Sequence, residues 1–364
     1  MNDLKPGQDP RSGKRTWLIG CGFLAVAVIL FLGIRQNGFQ DFIEGYFFVV
    51  VFVMAIPVGS LGVRLVHDLT GGRWGDVIRN GILITNRTVP LVAVLWLPLF
   101  FWLDRIYSWT NPSGVTFDSA LEHKMLYLNV PFFILRSGFY LVFWTGLVFW
   151  LNRQHKKNRS GLFMVFYVLV CTFSSVDWVM SLVPQWYSTI FGLMFATGQV
   201  LQAFCFMVLM AGLRERNPLP EAGRFVDLGN LMLTMLMLWA YLAFSQFLII
   251  WMENMPDEIS WYLGGIRNGW DFMPYVLVIG HFFIPFFLLL RRSWKSRPLF
   301  LAGVGTWIII MKFFDIGWMV LPGLRKGVHG LTLTHAGAVL LVIGIYLTGW
   351  RISMQTYTRK LNSA

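Results

Sequence analysis

The stretch PLFLAGVGTWIIIMKFFDIGWMVL, Pro298 to Leu321, carries two charges, Lys312 and Asp315, in an otherwise almost wholly apolar run. About 20 such residues coil into a helix long enough to cross a hydrocarbon core roughly 30 Å thick. Comparable windows lie at 17–34, 43–65, 82–103, 127–151, 160–183, 187–213, 228–252, 270–290 and 332–350. The sequence therefore predicts an all-α polytopic membrane protein of about ten transmembrane helices, with a tail at 1–16 before them and another at 351–364 after them. Composition agrees, since 56% of the 364 residues are apolar and 13% are charged, with a mean hydropathy of +0.60. A soluble domain carries about 25% charge, so a water-facing fold is excluded.

The formal charge of +12 and pI of 9.8 invite a nucleic-acid reading, but the placement of the basic residues excludes it. Alternate connections, beginning with the N-terminal tail, hold 21 of the 30 Lys and Arg; the opposite connections hold 6, and Arg87, Arg136 and Lys312 fall within spans. Lys and Arg collect in cytoplasmic loops, so this alternation predicts both termini in the cytoplasm, and the basic pI reads as a topology signal.

A weak internal repeat divides the spans. Asp177 precedes Pro184 by seven residues at the end of span five, and Asp315 precedes Pro322 by seven at the end of span nine. Asn129-Val130-Pro131-Phe132 opens span four much as Phe272-Met273-Pro274-Tyr275 opens span eight. Equivalent spans four apart run in the same direction, which predicts two pseudo-symmetric four-helix bundles, 43–183 and 187–321, with peripheral helices at 17–34 and 332–350.

Charged groups inside a bilayer cost about 2.5–3.5 kcal/mol each on insertion scales, so they face the bundle interior and find a partner, a water or a proton. The set is Arg87, Arg136, Asp177, His281, Lys312 and Asp315. Lys312 and Asp315 share a helix face, and Arg136 lies at a depth where Asp177 of the next span could meet it. Either these are ion pairs that fix helix register, or Asp177, His281, Lys312 and Asp315 form a path for protons; Arg87 and Arg136, which do not release protons, set the field or hold an ion pair. A b-type haem would need a second histidine level with His281, whereas His335 enters near the edge of its span. The connection after span seven carries Glu253, Asp257 and Glu258, a small acidic patch that could dock a basic partner or simply be solvated.

No metal-ligand cluster, nucleophile with its base, or dinucleotide fingerprint appears, and Cys21, Cys171 and Cys205 lie in apolar runs without ligand spacing. Leu69-Thr70-Gly71-Gly72-Arg73-Trp74-Gly75 lacks the Walker spacing and Lys, and reads as a tight turn. By itself the chain has no redox centre.

The stretch Arg224-Phe225-Val226-Asp227-Leu228-Gly229-Asn230, with Leu238-Trp239-Ala240-Tyr241, Phe244 to Trp251 and Asn254-Met255-Pro256-Asp257-Glu258, resembles the F subunit family of bacterial alternative complex III. The Leu69–Gly75 turn, Tyr187-Ser188-Thr189 before Phe191-Gly192, and the ten-span plan are similar to the same family, and more loosely to the polysulfide-reductase (NrfD-type) membrane subunits. The resemblance implies a cofactor-free membrane subunit of a respiratory quinol:electron-acceptor oxidoreductase. Its expected partners are a homologous quinol-binding membrane subunit, an iron-sulfur subunit and c-type cytochrome subunits, which carry the clusters and haems. In that family the quinol site lies in the first bundle of the homologous subunit; here spans two to five hold no membrane-embedded histidine. The family's suggested use of buried charge is proton conduction, for which Asp177, His281, Lys312 and Asp315 are the positions available. Two other readings stay open, a quinone-binding membrane anchor and a stand-alone secondary transporter.

Overall fold

The computed structural model describes residues 26–36, 38–110, 124–153, 159–214, 222–253, 256–324 and 332–362. They form helices and the turns between them, with no strand among the described residues. A short apolar helix, α1 (Val26–Gln36), comes first; it is what is described of the span expected at 17–34, whose residues 17–25 lie outside the described residues. Nine described helices are long and apolar enough to cross a membrane: α2 (Phe39–Thr70), α3 (Trp74–Phe101), α4 (Val130–Arg153), α5 (Ser160–Leu182), α6 (Phe191–Arg214), α7 (Gly223–Glu253), α8 (Met273–Leu290), α9 (Pro298–Leu324) and α10 (Leu333–Lys360). This is an all-α, multi-pass membrane protein.

Several helices outrun their apolar windows, because a hydropathy window stops at the first charges while backbone hydrogen bonding does not. The helix of α2 starts at Phe39 and takes in Asp41 and Glu44, and that of α10 runs on through Arg351 and Lys360 to Asn362. The Leu69–Gly75 turn follows α2, where Gly71 (φ 68°) donates its N–H to the His67 carbonyl at 2.8 Å and Gly72 sits at φ 102°. A left-handed residue closing a helix in this way is where glycine belongs.

Two helices are interrupted at prolines. In α3, the turn at Arg87 and Thr88 separates Trp74–Asn86 from Val89–Trp96, which has Pro90 in its first turn; Pro98 then begins a tighter turn over Leu97–Phe101. In α8, a π-helical turn spans Leu277–Phe283 before Pro285. Proline has no N–H for the carbonyl four residues back, that of His281, and a wider turn accommodates the break.

At the centre stand α2, α6 and α9. Every residue in the most apolar stretch of α2 is buried, as a helix apolar all round requires. It packs on α3, α5, α6, α9 and α10, while α6 also packs on α5, α7 and α9. Close approach depends on small residues: a Cβ at Gly59 of α2 would strike the Gln199 carbonyl of α6, whereas Gly303 of α9 meets nothing within 4 Å. The outward faces of α4, α5, α7 and α8 are lined by Leu135, Val142, Leu169, Phe244, Val278 and Phe287 and suit lipid.

Candidate functional site

Two buried ion pairs, one on each half of the chain, organise the interior. The first joins α4 to α5. Arg136 grips the Asp177 carboxylate with both arms, Nε to Oδ2 at 2.8 Å and Nη2 to Oδ1 at 3.0 Å, and its Nη1 donates to the Tyr127 carbonyl at 3.0 Å. Tyr140, one turn beyond Arg136 on the same face, donates its hydroxyl to Asp177 Oδ2 at 2.6 Å. The guanidinium lies between the rings of Tyr127 (3.8 Å) and Phe132 (4.2 Å). Beside this pair Trp178 donates its Nε1–H to Ser137 at 2.8 Å and stacks on Trp96 at 3.8 Å. Fully buried Asp177 thus accepts three hydrogen bonds, two of them from the guanidinium fork, an arrangement that fixes its carboxyl group in place. Burial and the nearby Asp177 carboxylate push the phenols of Tyr107 and Tyr127, both outside the spans, well above the ordinary tyrosine range. Both rings therefore stay neutral beside it.

The second pair lies within α9. Lys312 Nζ meets Asp315 Oδ2 at 2.5 Å, and both side chains are buried. Its ammonium stands 5.6 Å from the centre of the Trp239 ring of α7, close over Gly198 of α6, where a Cβ would come within 2.5 Å of Nζ. The other neighbour of Trp239 is His281, whose ring packs on it with centroids 4.0 Å apart. His281 is fully buried in the π-helical turn of α8, and neither ring nitrogen has a hydrogen-bond partner among the described residues. The same holds for Trp239 Nε1 and for both side-chain polar atoms of Gln199 on α6. Buried polar atoms are almost always satisfied, by protein or by ordered water, and π-helical turns gather at functional positions.

These two assemblies differ in kind. Asp177 is held by Arg136 and Tyr140 in a closed set of hydrogen bonds. In the second, an acid, a base and an imidazole are joined through an indole across α7, α8 and α9, with unsatisfied donors and acceptors around them. An acid, a base and an imidazole are groups able in general to take up and release protons.

The remaining expected residues lie elsewhere. Arg87 sits in the break of α3, half-buried, with its guanidinium 5.2 Å over the ring of Tyr357 at the end of α10. Glu253 is exposed at the end of α7, and the side chains of Asp257 and Glu258 lie outside the described residues. Cys171 and Cys205 are buried and unpaired by disulfide, and Cys21 lies outside the described residues. No group of three or more His, Cys, Asp or Glu placed to hold a metal occurs among the described residues.

Three participants went unread in the sequence. Tyr140 was legible, four residues from Arg136 and so on its face. Tyr127 was not, because it precedes the helix and is brought over the guanidinium by the turn before α4. Trp239 is one of 17 tryptophans, and only the packing of α7 against α8 and α9 singles it out. No protein-family model matches the chain, and neither does any curated protein.

Proposed function

We propose that the chain is a cofactor-free membrane subunit of a bacterial respiratory quinol:electron-acceptor oxidoreductase, of the alternative complex III type, which supports assembly and carries protons in its second half. In this reading α2–α5 and α6–α9 are two pseudo-symmetric four-helix units in the inner membrane, with α1 and α10 at their periphery and both termini in the cytoplasm. The electrons run through partners: a homologous quinol-binding subunit, an iron-sulfur subunit and c-type cytochromes.

The observation that supports proton transfer most is His281, buried with no hydrogen-bond partner for either nitrogen among the described residues and packed against the indole that also faces Lys312. A structural histidine in a bundle core is hydrogen-bonded. One left open at both nitrogens, near a Lys-Asp pair, suits a water-linked relay in which Asp315 alternates between pairing with Lys312 and holding a proton. Asp177 and Arg136 supply the contrasting fixed charge. The same open nitrogens also favour a second reading, the quinone anchor, since a quinone carbonyl or hydroxyl could occupy the hydrogen-bonding positions around His281.

Purification of the native assembly tests the first part: co-isolation of iron-sulfur and c-type cytochrome subunits is expected, and a chain that purifies alone overturns it. In reconstituted vesicles, Asp315→Asn is expected to leave quinol oxidation intact while lowering the protons translocated per electron. Loss of quinol oxidation in an assembled complex would favour the anchor.

A further inference from the structure

The turn between α8 and α9 gathers Arg291, Arg292, Lys295 and Arg297, and no Asp or Glu occurs between Asp271 and Asp315. Basic residues at a helix end are common, with their charged heads reaching into water. The three arginines fit that pattern, being exposed. Lys295 does not. It closes the short helix Arg292–Lys295 and is only 5% exposed. Its stem lies in a recess of α7 that a glycine leaves open, since a Cβ at Gly229 would stand 2.6 Å from Lys295 Cδ and 2.7 Å from Cγ. At the end of this recess Nζ donates to Asn230 Oδ1 at 2.5 Å, a neutral acceptor.

An ammonium withdrawn from water needs a counter-charge. No carboxylate pairs with Lys295 among the described residues, and Glu215 and Glu221 of the connection before α7 lie outside them. The charge that does lie close has the same sign. Burial first, and then Arg292, hold the Lys295 ammonium below the ordinary lysine range. Of the three Nζ–H groups one goes to Asn230, whose amide keeps its own NH2 as a further donor at an exposed position. Cations and donors are thus assembled here for an anion.

The setting of these cations is apolar. Trp294 has the Arg291 guanidinium 4.9 Å from its ring centre and packs on Phe300 at 5.3 Å. Phe287 and Leu290 before the turn, and Leu299 after it, are exposed. An indole among cations at the end of a helix suits the headgroup region of a bilayer, and basic pockets between membrane helices hold anionic headgroups. A soluble phosphate makes no use of the apolar collar, whereas a lipid joins its phosphate to acyl chains and uses both.

We propose that the α8–α9 turn and the facing part of α7 bind the phosphate of an anionic phospholipid, with Lys295 Nζ and the Asn230 amide as inner donors and Arg292 as the second cation. The phosphate neutralises two like charges that otherwise repel, and Phe287, Leu290 and Leu299 lie against the acyl chains. This site is separate from the group around His281 and stands whether or not Asp315 carries protons.

Native mass spectrometry of the full-length protein in detergent, titrated with phosphatidylglycerol, tests it by counting retained lipids. Wild type is expected to hold one phosphatidylglycerol at least about tenfold more tightly than phosphatidylcholine, whose phosphate is balanced by its own choline. Lys295→Met keeps a stem over Gly229 without the charge and is expected to abolish that preference. Arg159→Gln, an exposed cation before α5, is expected to leave it intact. Full preference in Lys295→Met overturns the proposal, as does an equal loss in Arg159→Gln, which would reveal general charge attraction. Excess inorganic phosphate is expected not to displace the lipid; displacement would make the ligand a soluble phosphate and overturn the lipid assignment. Should Lys295→Met fail to fold, Arg292→Gln, at an exposed position, makes the same comparison, and a preference equal to that of Arg159→Gln overturns the site.

Discussion

Replacing Lys312 by Met strands Asp315, and its cost can be worked from the geometry. At 2.5 Å and an effective dielectric constant of about 20, the pair attracts by roughly 7 kcal/mol. Desolvation of two buried ions offsets most of that, so the intact pair adds little to net stability. Losing one partner is different, because the remaining carboxylate keeps its desolvation without its counter-ion, which costs about 3–5 kcal/mol. An upper bound comes from protonation: a carboxyl with an ordinary value near 3.9 takes up a proton at pH 7 for about 4 kcal/mol. Lys312→Met should therefore lower the folding equilibrium by a hundred- to a thousandfold, at about 1.4 kcal/mol per tenfold. The double variant Lys312→Met/Asp315→Leu, with no buried charge, should recover most of the loss. Reversible unfolding in mixed micelles, following the change in tryptophan fluorescence, measures all three. A double variant whose loss equals or exceeds that of Lys312→Met refutes the argument, as does a single variant indistinguishable from wild type.

His281→Phe keeps a ring against Trp239 and removes two buried nitrogens that have no partner among the described residues, so stability should hold or rise by about 1–3 kcal/mol while proton transfer falls; lower stability with unchanged proton transfer would show that the imidazole is structural. Gly59→Ala drives a methyl into the Gln199 carbonyl and should separate α2 from α6 at about 1–3 kcal/mol, whereas Gly303→Ala, in open space, should be neutral in the same unfolding assay. Tyr140→Phe removes a buried hydrogen bond to Asp177 and should cost about 1–3 kcal/mol in the same unfolding assay. Burial raises Tyr262, in the helix Pro256–Gly265, from 10.0 to about 12. The folded chain then keeps a proton that the unfolded chain releases near 10, so stability falls as pH climbs through that window. Tyr262→Phe should lessen the alkaline loss, and the phenolate absorbance it removes should titrate near pH 12.

Much of this architecture follows from residue order alone. Runs such as Pro298–Leu321 have no place but a helix in lipid, since the hydrocarbon leaves backbone groups only one another to bond, and α2 to α10 appear where those runs lie. The positions of buried charge were equally legible, because Lys312, Asp315, Asp177 and Arg136 interrupt apolar stretches. Lys312 and Asp315 also announce their pairing through three-residue spacing. What periodicity could not give is which helices touch. Trp239 enters between Lys312 and His281 only through the packing of α7, α8 and α9; Tyr127 reaches Arg136 only through the turn ahead of α4. Asp41 and Glu44 stand some 290 residues from Thr332 and His335, and their meeting depends on α10 lying along α2 over Gly45. Hydropathy is a property of each segment taken singly, so the sequence alone determined the helices and their buried charges; which charges meet was decided by tertiary packing, because contact between distant segments is a property of their joint arrangement.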